Sequence, residues 1–260
     1  MAVTVQDICT WMEEWADPAL AEPGDNPGLQ IGRRNQAVRR VLTALDATEA
    51  VIEEAAEKGC EMIVTHHPLL YRPVSHIDDG QRQGRRLLML AEKGIALYSA
   101  HTNLDLAAGG TNDLLAQRLE LVNCLSMPDE EGRPFLRIGE LPEPMPLRSW
   151  AEWVKERLEL SFLRMTAEDP ERIIRRAALC TGAGGSLMGL VLGKADVYIT
   201  GDVSYHRAED AAAEGLAVLD AGHFGTEVWM AQAAADYLNS RSREIRAEAS
   251  ERMKDVFVLV

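Results

Sequence analysis

The sequence predicts an α/β protein built from two similar units. Apolar, strand-like runs alternate with helical segments along most of the 260 residues, which is typical of βα units around a largely parallel sheet. Several short stretches of the first half return in the same order in the second half. The polar clusters follow the strands, where open α/β sheets place their ligands.

The first unit is predicted to begin with a helix, since apolar residues recur at helical spacing in VQDICTWMEEWADPAL until Pro18 and the loop EPGDNPG. The unbroken apolar run of RRVLTALDA suits a strand that is buried on both faces. Thr48 opens the next helix and Gly59 closes it. The following elements are the strand EMIVTHHP, the helix QGRRLLMLAEKG, the strand IALYSAHTN and the helix TNDLLAQRLEL.

The stretch 124–148 is rich in proline and acid and holds only the short strand FLRIGEL, so it predicts a boundary. A second unit follows with the helix SWAEWVKERLEL and the strand RAALCTG. The next predicted elements are the strand ADVYITGD, the helix RAEDAAAEG, the strand LAVLDAG, the long helix TEVWMAQAAADYLNSR and a final strand DVFVLV.

An internal duplication is indicated by three pairs of stretches. RRVLTAL resembles RRAALCT, CEMIVTHH resembles ADVYITGD, and AEKGIALYSAH resembles AAEGLAVLDAGH. Matches this short also arise by chance among apolar strands. A true duplication would bring both sets of strand ends toward one shared site.

The composition excludes several classes of protein. A net charge of −14 opposes binding to nucleic-acid backbones, and the arginines near residues 33–40 and 172–176 are read as solvated strand entries. No apolar window is long enough to span a membrane, and the acidic start does not resemble a signal peptide, so we expect a cytoplasmic protein. The four cysteines are far apart and are expected to be reduced core residues.

Five of the six histidines lie at or after predicted strand ends, and two of these precede a carboxylate by four residues. His66 and His67 are adjacent, and we expect Pro68 to break the ladder so that both imidazoles turn toward one crevice. The alternative for this pair is one buried and one exposed histidine. The two carboxylates alternatively are helix N-terminal acids that the helix dipole favours. The spaced pairs are His101 with Asp105 and His223 with Glu227.

Imidazole and carboxylate ligands without thiolate suit zinc, iron or manganese, and they select no single one of these metals. Five candidate ligands exceed the needs of one tetrahedral structural site. Two neighbouring cations that share a carboxylate would use all five and leave positions for water, an arrangement typical of hydrolases.

The sequence also resembles a known family in several blocks, which run in order through nearly the whole chain: DNPGLQIG, VTHHPL, HTNLDLAAGGTNDLLAQRL, CTGAGG, DVYITGDVSYH and AGHFGTE. They resemble the GTP cyclohydrolase 1 type 2 homologue family, the NGG-interacting-factor-like dinuclear-metal proteins, in its short form. The resemblance implies two intertwined, similar three-layer α/β/α units with mixed sheets. It also implies a toroidal homohexamer, a trimer of dimers.

The same resemblance implies two divalent metal ions per chain. His67 and Asp105 would hold one, His66 and His223 the other, and Glu227 would bridge them, although the two adjacent histidines could be exchanged. Because these ligands must meet, we expect the chain after about residue 218 to return to the first unit. The expected division is therefore 1–123 plus 218–260 for the first unit, which carries most metal ligands, and 124–217 for the second.

The sequence departs from the family pattern at Asp202 and Tyr205, where relatives commonly have glutamate and histidine, so a role of those positions in substrate positioning or proton transfer is in doubt. His101 and His206 are candidate catalytic acid–base residues, with a loop-fixing hydrogen bond as the alternative role. The leading hypothesis is a metal-dependent hydrolase acting on a nucleotide-like small molecule, with opening of the GTP imidazole ring suggested by the family name. The alternatives are a two-metal phosphoesterase and a non-catalytic metal-binding ring that serves storage, sensing or partner docking.

Overall fold

The computed structural model describes residues 2–258 and 260. Two compact units make up the chain: the first is Met1–Gly110 with Val228–Val260, and the second is Thr111–Glu227. No helix of the described residues combines the length and the apolar character that crossing a bilayer requires.

The strands and helices alternate along most of the chain. The strands are β1 (Gly28–Ile31), β2 (Arg40–Ala44), β3 (Met62–Thr65), β4 (Ala96–Ser99), β5 (Val122–Met127), β6 (Leu136–Pro146), β7 (Arg164–Thr166), β8 (Ile173–Leu179), β9 (Val197–Thr200), β10 (Ala217–Asp220) and β11 (Arg246–Ala249). The helices are α1 (Val5–Trp15), α2 (Glu49–Glu57), α3 (Arg82–Lys93), α4 (Thr102–Leu106), α5 (Thr111–Arg118), α6 (Leu147–Arg157), α7 (Met188–Val191), α8 (Tyr205–Ala213), α9 (His223–Glu227) and α10 (Trp229–Arg241). Short 3-10 turns lie at Pro18–Leu20 and Gly184–Leu187.

The sheet of the first unit has the order β1-β4-β3-β2-β11. Its strands are parallel except for β1, which pairs antiparallel with β4. Leu42, Ile63 and Leu97 share a buried cluster with residues of α2 and α3, whereas the Thr43 hydroxyl donates to the carbonyl of Ala231 in α10 (2.6 Å). Since neighbouring strand residues point to opposite faces, helices cover both faces and the unit has three layers.

The second unit contains a six-stranded mixed sheet of order β5-β6-β8-β9-β10-β7. Strands β8, β9 and β10 are parallel, and β5, β6 and β7 each pair antiparallel with their neighbours. Strand β6 continues through the predicted boundary loop, because an irregularity between Glu140 and Met145 accommodates its proline-rich part while the pairing with β8 resumes beyond it. The predicted α/β class with two mixed sheets is confirmed.

The two sheets repeat one another in detail. In each, three parallel strands carry an antiparallel strand beside the third, β1 next to β4 and β7 next to β10. One Glu61 carboxylate oxygen accepts the amides of Arg39 (3.0 Å) and Arg40 (2.8 Å) at the start of β2. Asp196 accepts the amides of residues 175 and 176 in β8 in the same way (2.7 and 2.9 Å). Shared hydrogen bonds of this kind support an internal duplication.

The limits of the units differ from the predicted boundaries after residue 123 and before residue 218. Helix α5 packs on β6 and β8, and α9 contacts α5, so both belong to the second unit. Consequently His223 and Glu227 lie in the second unit, and the chain returns to the first unit only at Val228.

The structure also differs from the prediction of a final strand in the segment DVFVLV. Residues 255–258 form no strand, the side chains of Val256, Phe257 and Val258 are exposed, and Leu259 lies outside the described residues. The last strand is instead β11, whose pairing with β2 extends to the amide of Ser250, which donates to the carbonyl of Thr43 (2.8 Å).

Candidate metal centre

His66 and His67 continue the pairing of β3 with β2. Their amides donate to the carbonyls of Ala44 (3.2 Å) and Leu45 (2.9 Å), just beyond the end of β3 at Thr65. Pro68, which has no N–H, follows directly. With no amide at Pro68 to donate, this pairing ends there, as expected from the sequence. The two rings lie close, with centroids 5.1 Å apart, and the His66 side chain is fully buried.

The Nδ1 atom of each of these histidines is held by an oxygen acceptor. Nδ1 of His66 donates to the carbonyl of Ala100 (2.8 Å), and Nδ1 of His67 donates to Asp46 (3.1 Å). A carbonyl or a carboxylate can only accept, so the proton of each neutral ring is on Nδ1 and the lone pair is on Nε2. This is the arrangement of metal-binding histidines, whose other nitrogen is oriented by an oxygen partner.

His101 joins this pair in the first unit. Its ring centroid lies 5.3 Å from that of His66 and 5.7 Å from that of His67. One ring nitrogen from each of the three histidines can be chosen so that all lie within 4.8 Å of one another, close enough to hold one metal ion. The structure thus places His101, a candidate catalytic residue by sequence, directly beside the candidate ligands.

Asp25 orients His101 from the loop between α1 and β1. Its carboxylate accepts from Nδ1 of His101 (2.8 Å), the amide of Thr102 (3.1 Å) and the Thr102 hydroxyl (2.5 Å). Burial of Asp25 would raise its pKa, but the hydrogen bonds from His101 and Thr102 outweigh that effect and hold the pKa well below its usual range. Asp25 is therefore a fixed negative charge behind the imidazole.

Asp105 completes the group in the first unit. It lies on α4, four residues after His101, and its Oδ1 is 3.5 Å from Nε2 of His66. Its side chain is only 13% exposed, which means that the carboxylate faces the histidines more than it faces solvent.

In the second unit, His223 and Glu227 occupy the ends of the short helix α9. Nε2 of His223 lies 3.0 Å from a Glu227 carboxylate oxygen, and Nδ1 of His223 donates to Asp202 (2.8 Å). Glu227 is buried. Gly182, at a φ of +64°, lies against its carboxylate and donates its amide to the hydroxyl of Thr226 (2.9 Å).

His206 is placed differently from the other candidate residues. It is exposed on α8, and its ring centroid is 5.6 Å from that of Tyr205, which is also exposed. Among the described residues, the groups whose ligand atoms converge do not include His206. A catalytic role for His206 remains a prediction from the sequence.

Three carboxylates that orient the histidines escaped the sequence reasoning as partners of the site. Asp46 follows β2, Asp202 follows β9, and Asp25 belongs to the loop before β1. Each of them accepts a hydrogen bond from Nδ1 of a histidine. The available signal was position, because all three follow a strand or lie in a turn, as the histidines do.

The residues present fit a divalent metal ion. The first unit offers the Nε2 atoms of two oriented imidazoles together with Asp105. The second unit offers Nε2 of His223 together with Glu227. These are donors that zinc, iron and manganese accept. Cysteine contributes little, since burial raises the pKa of Cys9 and of Cys60 to about 11 and keeps both as thiols. Candidate metal-ligand groups of histidine, aspartate and glutamate are thus present.

Comparison with known proteins identifies relatives over the whole length. Residues 3–255 match the family described as Duf34/NIF3 (NGG1p interacting factor 3). Two relatives are proteins called GTP cyclohydrolase 1 type 2 homolog. The one from Lactococcus lactis is 35% identical over 256 residues, with 97% of this chain and 98% of the relative covered. The one from Clostridium perfringens is 39% identical over 228 residues, with 86% of each covered.

A solved structure agrees with these matches. A Bacillus cereus protein related to NIF3 superposes with a TM-score of 0.91 at 25% identity, and the superposition covers both chains fully. The resemblance found in the sequence blocks is confirmed: this chain belongs to the Duf34/NIF3 family.

Proposed function

We propose that this chain is a metal-dependent hydrolase whose ligands are His66, His67, Asp105, His223 and Glu227. The observation that supports it best is that all three ligand histidines have Nδ1 bonded to an oxygen acceptor, so that Nε2 is left to bind a cation. Divalent cations bound there would supply Lewis-acid activation of water and of an electrophilic substrate.

We further propose two cations per chain, with Glu227 as the bridging ligand. This part of the proposal rests on the family resemblance and on the number of ligands, which is larger than one tetrahedral site needs. The donor set is compatible with zinc, iron or manganese.

His101 is the proposed acid–base residue. Asp25 fixes the His101 tautomer with the proton on Nδ1, so Nε2 can accept a proton during the reaction. The negative charge of Asp25 then stabilises the imidazolium that forms, as the aspartate does in Ser-His-Asp enzymes. His206, exposed on α8, is the second candidate for moving protons to solvent.

The proposed substrate is a nucleotide-like small molecule. The relatives carry the name GTP cyclohydrolase 1 type 2 homolog, and hydrolytic opening of the imidazole ring of GTP is the reaction that this name suggests. Fold alone does not select a substrate, so the experiment has to address both the metal and the nucleotide.

The test is mass spectrometry of GTP after incubation with protein reconstituted separately with zinc, manganese and iron. Glu227→Gln removes the bridging charge, and Glu209→Gln, an exposed residue of α8, is the matched control. We expect a ring-opened or formate-releasing product with wild type and the control, and a loss of about 100-fold or more with Glu227→Gln.

Unchanged GTP with all three metals would overturn the GTP assignment, and phosphoesters would be tried next. Stoichiometric metal without turnover of either substrate class would favour a non-catalytic metal-binding protein.

The proposed assembly is the toroidal homohexamer, a trimer of dimers, that the family resemblance implies. Sedimentation velocity at micromolar concentration should give a species of six times the 28.7 kDa of one chain. A monomer would contradict this assembly.

A further inference from the structure

A polar cavity of about 390 Å³ lies beside His67 within the first unit. We call it the arginine pocket, because Arg72, Arg82 and Arg86 line it, together with Asp46 and Tyr71. Asp46 is also the residue that accepts from Nδ1 of His67. The pocket therefore adjoins a candidate metal ligand through both His67 and the carboxylate that orients it.

Arg86 is the least solvated of these guanidinium groups. Its Nε is buried, and no described residue accepts a hydrogen bond from that atom. Burial and the nearby charge of Arg82 lower the pKa of Arg86, and the attraction of Glu49 and Asp46 does not restore it. Arg86 lines the cavity, and its guanidinium carries five N–H donors, so it can offer charge-assisted hydrogen bonds to an anion there.

The wall that carries the arginines is anchored to the loop after His67. Arg82, Gln83 and Arg86 lie on the first turns of α3, and Gln83 Nε2 donates to the carbonyl of Leu69 (2.7 Å). The N-terminal end of a helix adds partial positive charge to the same side of the cavity. The positive groups are thus positioned by secondary structure, which lowers the entropic cost of binding.

The charge of the pocket matches a doubly negative group. Three arginines against the single carboxylate of Asp46 leave two positive charges. Arg85 does not belong to this set, because it pairs with Glu49 (3.3 Å) and donates to the carbonyl of Asp79 (2.9 Å). In a chain of net charge −14, such a local excess of positive charge attracts anions to one place on the surface.

We propose that the arginine pocket binds a phosphate group of the substrate and so positions the remainder of the molecule next to His67. A phosphate ester or anhydride carries about two negative charges, and its oxygens match the planar fork of guanidinium groups. This proposal deepens the proposed function and rests on it, since it names phosphate-bearing small molecules as the substrate class.

The test is calorimetric titration of inorganic pyrophosphate into the metal-reconstituted protein. Arg86→Gln removes the buried guanidinium, Arg82→Gln removes its neighbour, and Arg86→Lys keeps the charge without the fork. Arg85→Gln is the matched control, since it removes the same charge from the same helix outside the pocket. We expect Arg86→Gln to weaken pyrophosphate binding about tenfold or more, Arg86→Lys to weaken it less, and Arg85→Gln to change it by less than about twofold.

Metal content and melting temperature are measured on the same samples. Wild-type protein that binds no pyrophosphate, or Arg86→Gln and Arg82→Gln variants that bind it as tightly as Arg85→Gln, would overturn the arginine pocket. Protein that takes up no metal on reconstitution, before pyrophosphate is added, but binds pyrophosphate through Arg86 would contradict the proposed hydrolase and leave the anion site established. The two proposals therefore fail separately.

Discussion

The carboxylate of Glu227 fills the space that a side chain at position 182 would occupy. A Cβ on Gly182 would lie well inside van der Waals contact with Glu227 Oε1, and Gly182 also adopts a left-handed φ of +64°. The glycine therefore has two roles, one in the turn after β8 and one in fixing the place of a candidate metal ligand.

Gly182→Ala should move Glu227 and weaken metal binding. Gly193 has a similar φ of +69°, and a Cβ added there would meet nothing within 4 Å, so Gly193→Ala carries the same backbone cost of about 1 kcal/mol without displacing a ligand. We expect both variants to lose this stability in urea unfolding, and only Gly182→Ala to lose metal affinity as well. Equal metal affinity of the two variants would contradict a ligand role for Glu227.

Asp202→Asn should leave the imidazole ring of His223 less firmly oriented and so weaken metal binding. Asparagine tolerates the left-handed φ of 54° at this position and keeps a hydrogen-bond acceptor, but it removes the charge that orients the His223 ring. Loss of such an orienting group typically costs 10- to 100-fold in metal affinity, and we expect about tenfold here. Zinc competition against a fluorescent chelator measures the change. Asp210→Asn, on the exposed side of α8, should remain within about twofold of wild type.

Glu54 should make the stability of the first unit sensitive to acid. Its buried carboxylate accepts from Lys58 (2.8 Å) and from the amides of Glu251 (3.0 Å) and Arg252 (3.2 Å). Burial would raise its pKa, but the hydrogen bonds from Lys58, Ser250 and the Glu251 amide outweigh burial and lower the pKa from 4.5. A lowered folded-state pKa means that the stabilisation is complete above pH 4.5 and is lost as the pH falls through the folded-state value.

Glu54→Gln tests this directly. The variant should be about 2 kcal/mol less stable than wild type at pH 7, and the difference should shrink as the pH falls below 4.5. Glu57→Gln, on the exposed side of the same helix and paired with Arg252, should cost less than about 1 kcal/mol. Urea unfolding over a pH series gives all three curves, and a gap that stays constant with pH would exclude the role assigned to Glu54.

Two buried tyrosines should respond oppositely to removal of their hydroxyl groups. Tyr98 is fully buried, and within the described residues its hydroxyl has no hydrogen-bond partner, whereas Tyr198 donates to the carbonyl of Gly184 (2.9 Å). We expect Tyr98→Phe to be neutral or up to about 1 kcal/mol more stable, and Tyr198→Phe to lose about 1 kcal/mol. Thermal and urea unfolding measure the stability of both variants. A marked destabilisation by Tyr98→Phe would contradict the prediction for Tyr98.

The strands that carry the histidines were predictable because their sequences are simple. The segments around β3, β4, β9 and β10 are short apolar runs bounded by polar turns, and burial on both faces gives them an unambiguous pattern. The position of His66, His67 and His223 at the ends of those strands was enough to predict them as candidate metal ligands. The family blocks then indicated Asp105 and Glu227 as candidate ligands, because spacing alone left both open as helix N-terminal acids.

The parts that escaped prediction depend on contacts between distant residues. Strand β11 has the charged sequence RAEA and pairs with β2 at the edge of the sheet, whereas the apolar VFV of residues 256–258 is exposed. The local pattern of apolar residues therefore predicts a strand at residues 256–258, whereas the strand lies at Arg246–Ala249. Asp25 reaches His101 across 76 positions, a separation at which no local signal exists.

The order of the units along the chain determines which unit can be completed first during synthesis. Thr43 in β2 bonds to Ala231 in α10, 188 positions later, and β11 closes the same sheet near the end of the sequence. The second unit is continuous, from Thr111 to Glu227, so it is synthesised completely before β11, which is one of the two neighbours of β2. Since distant pairing is slow, we expect one edge of the apolar strand β2 to stay unpaired until β11 is synthesised. The nascent first unit should then be more exposed to chaperones than the second unit.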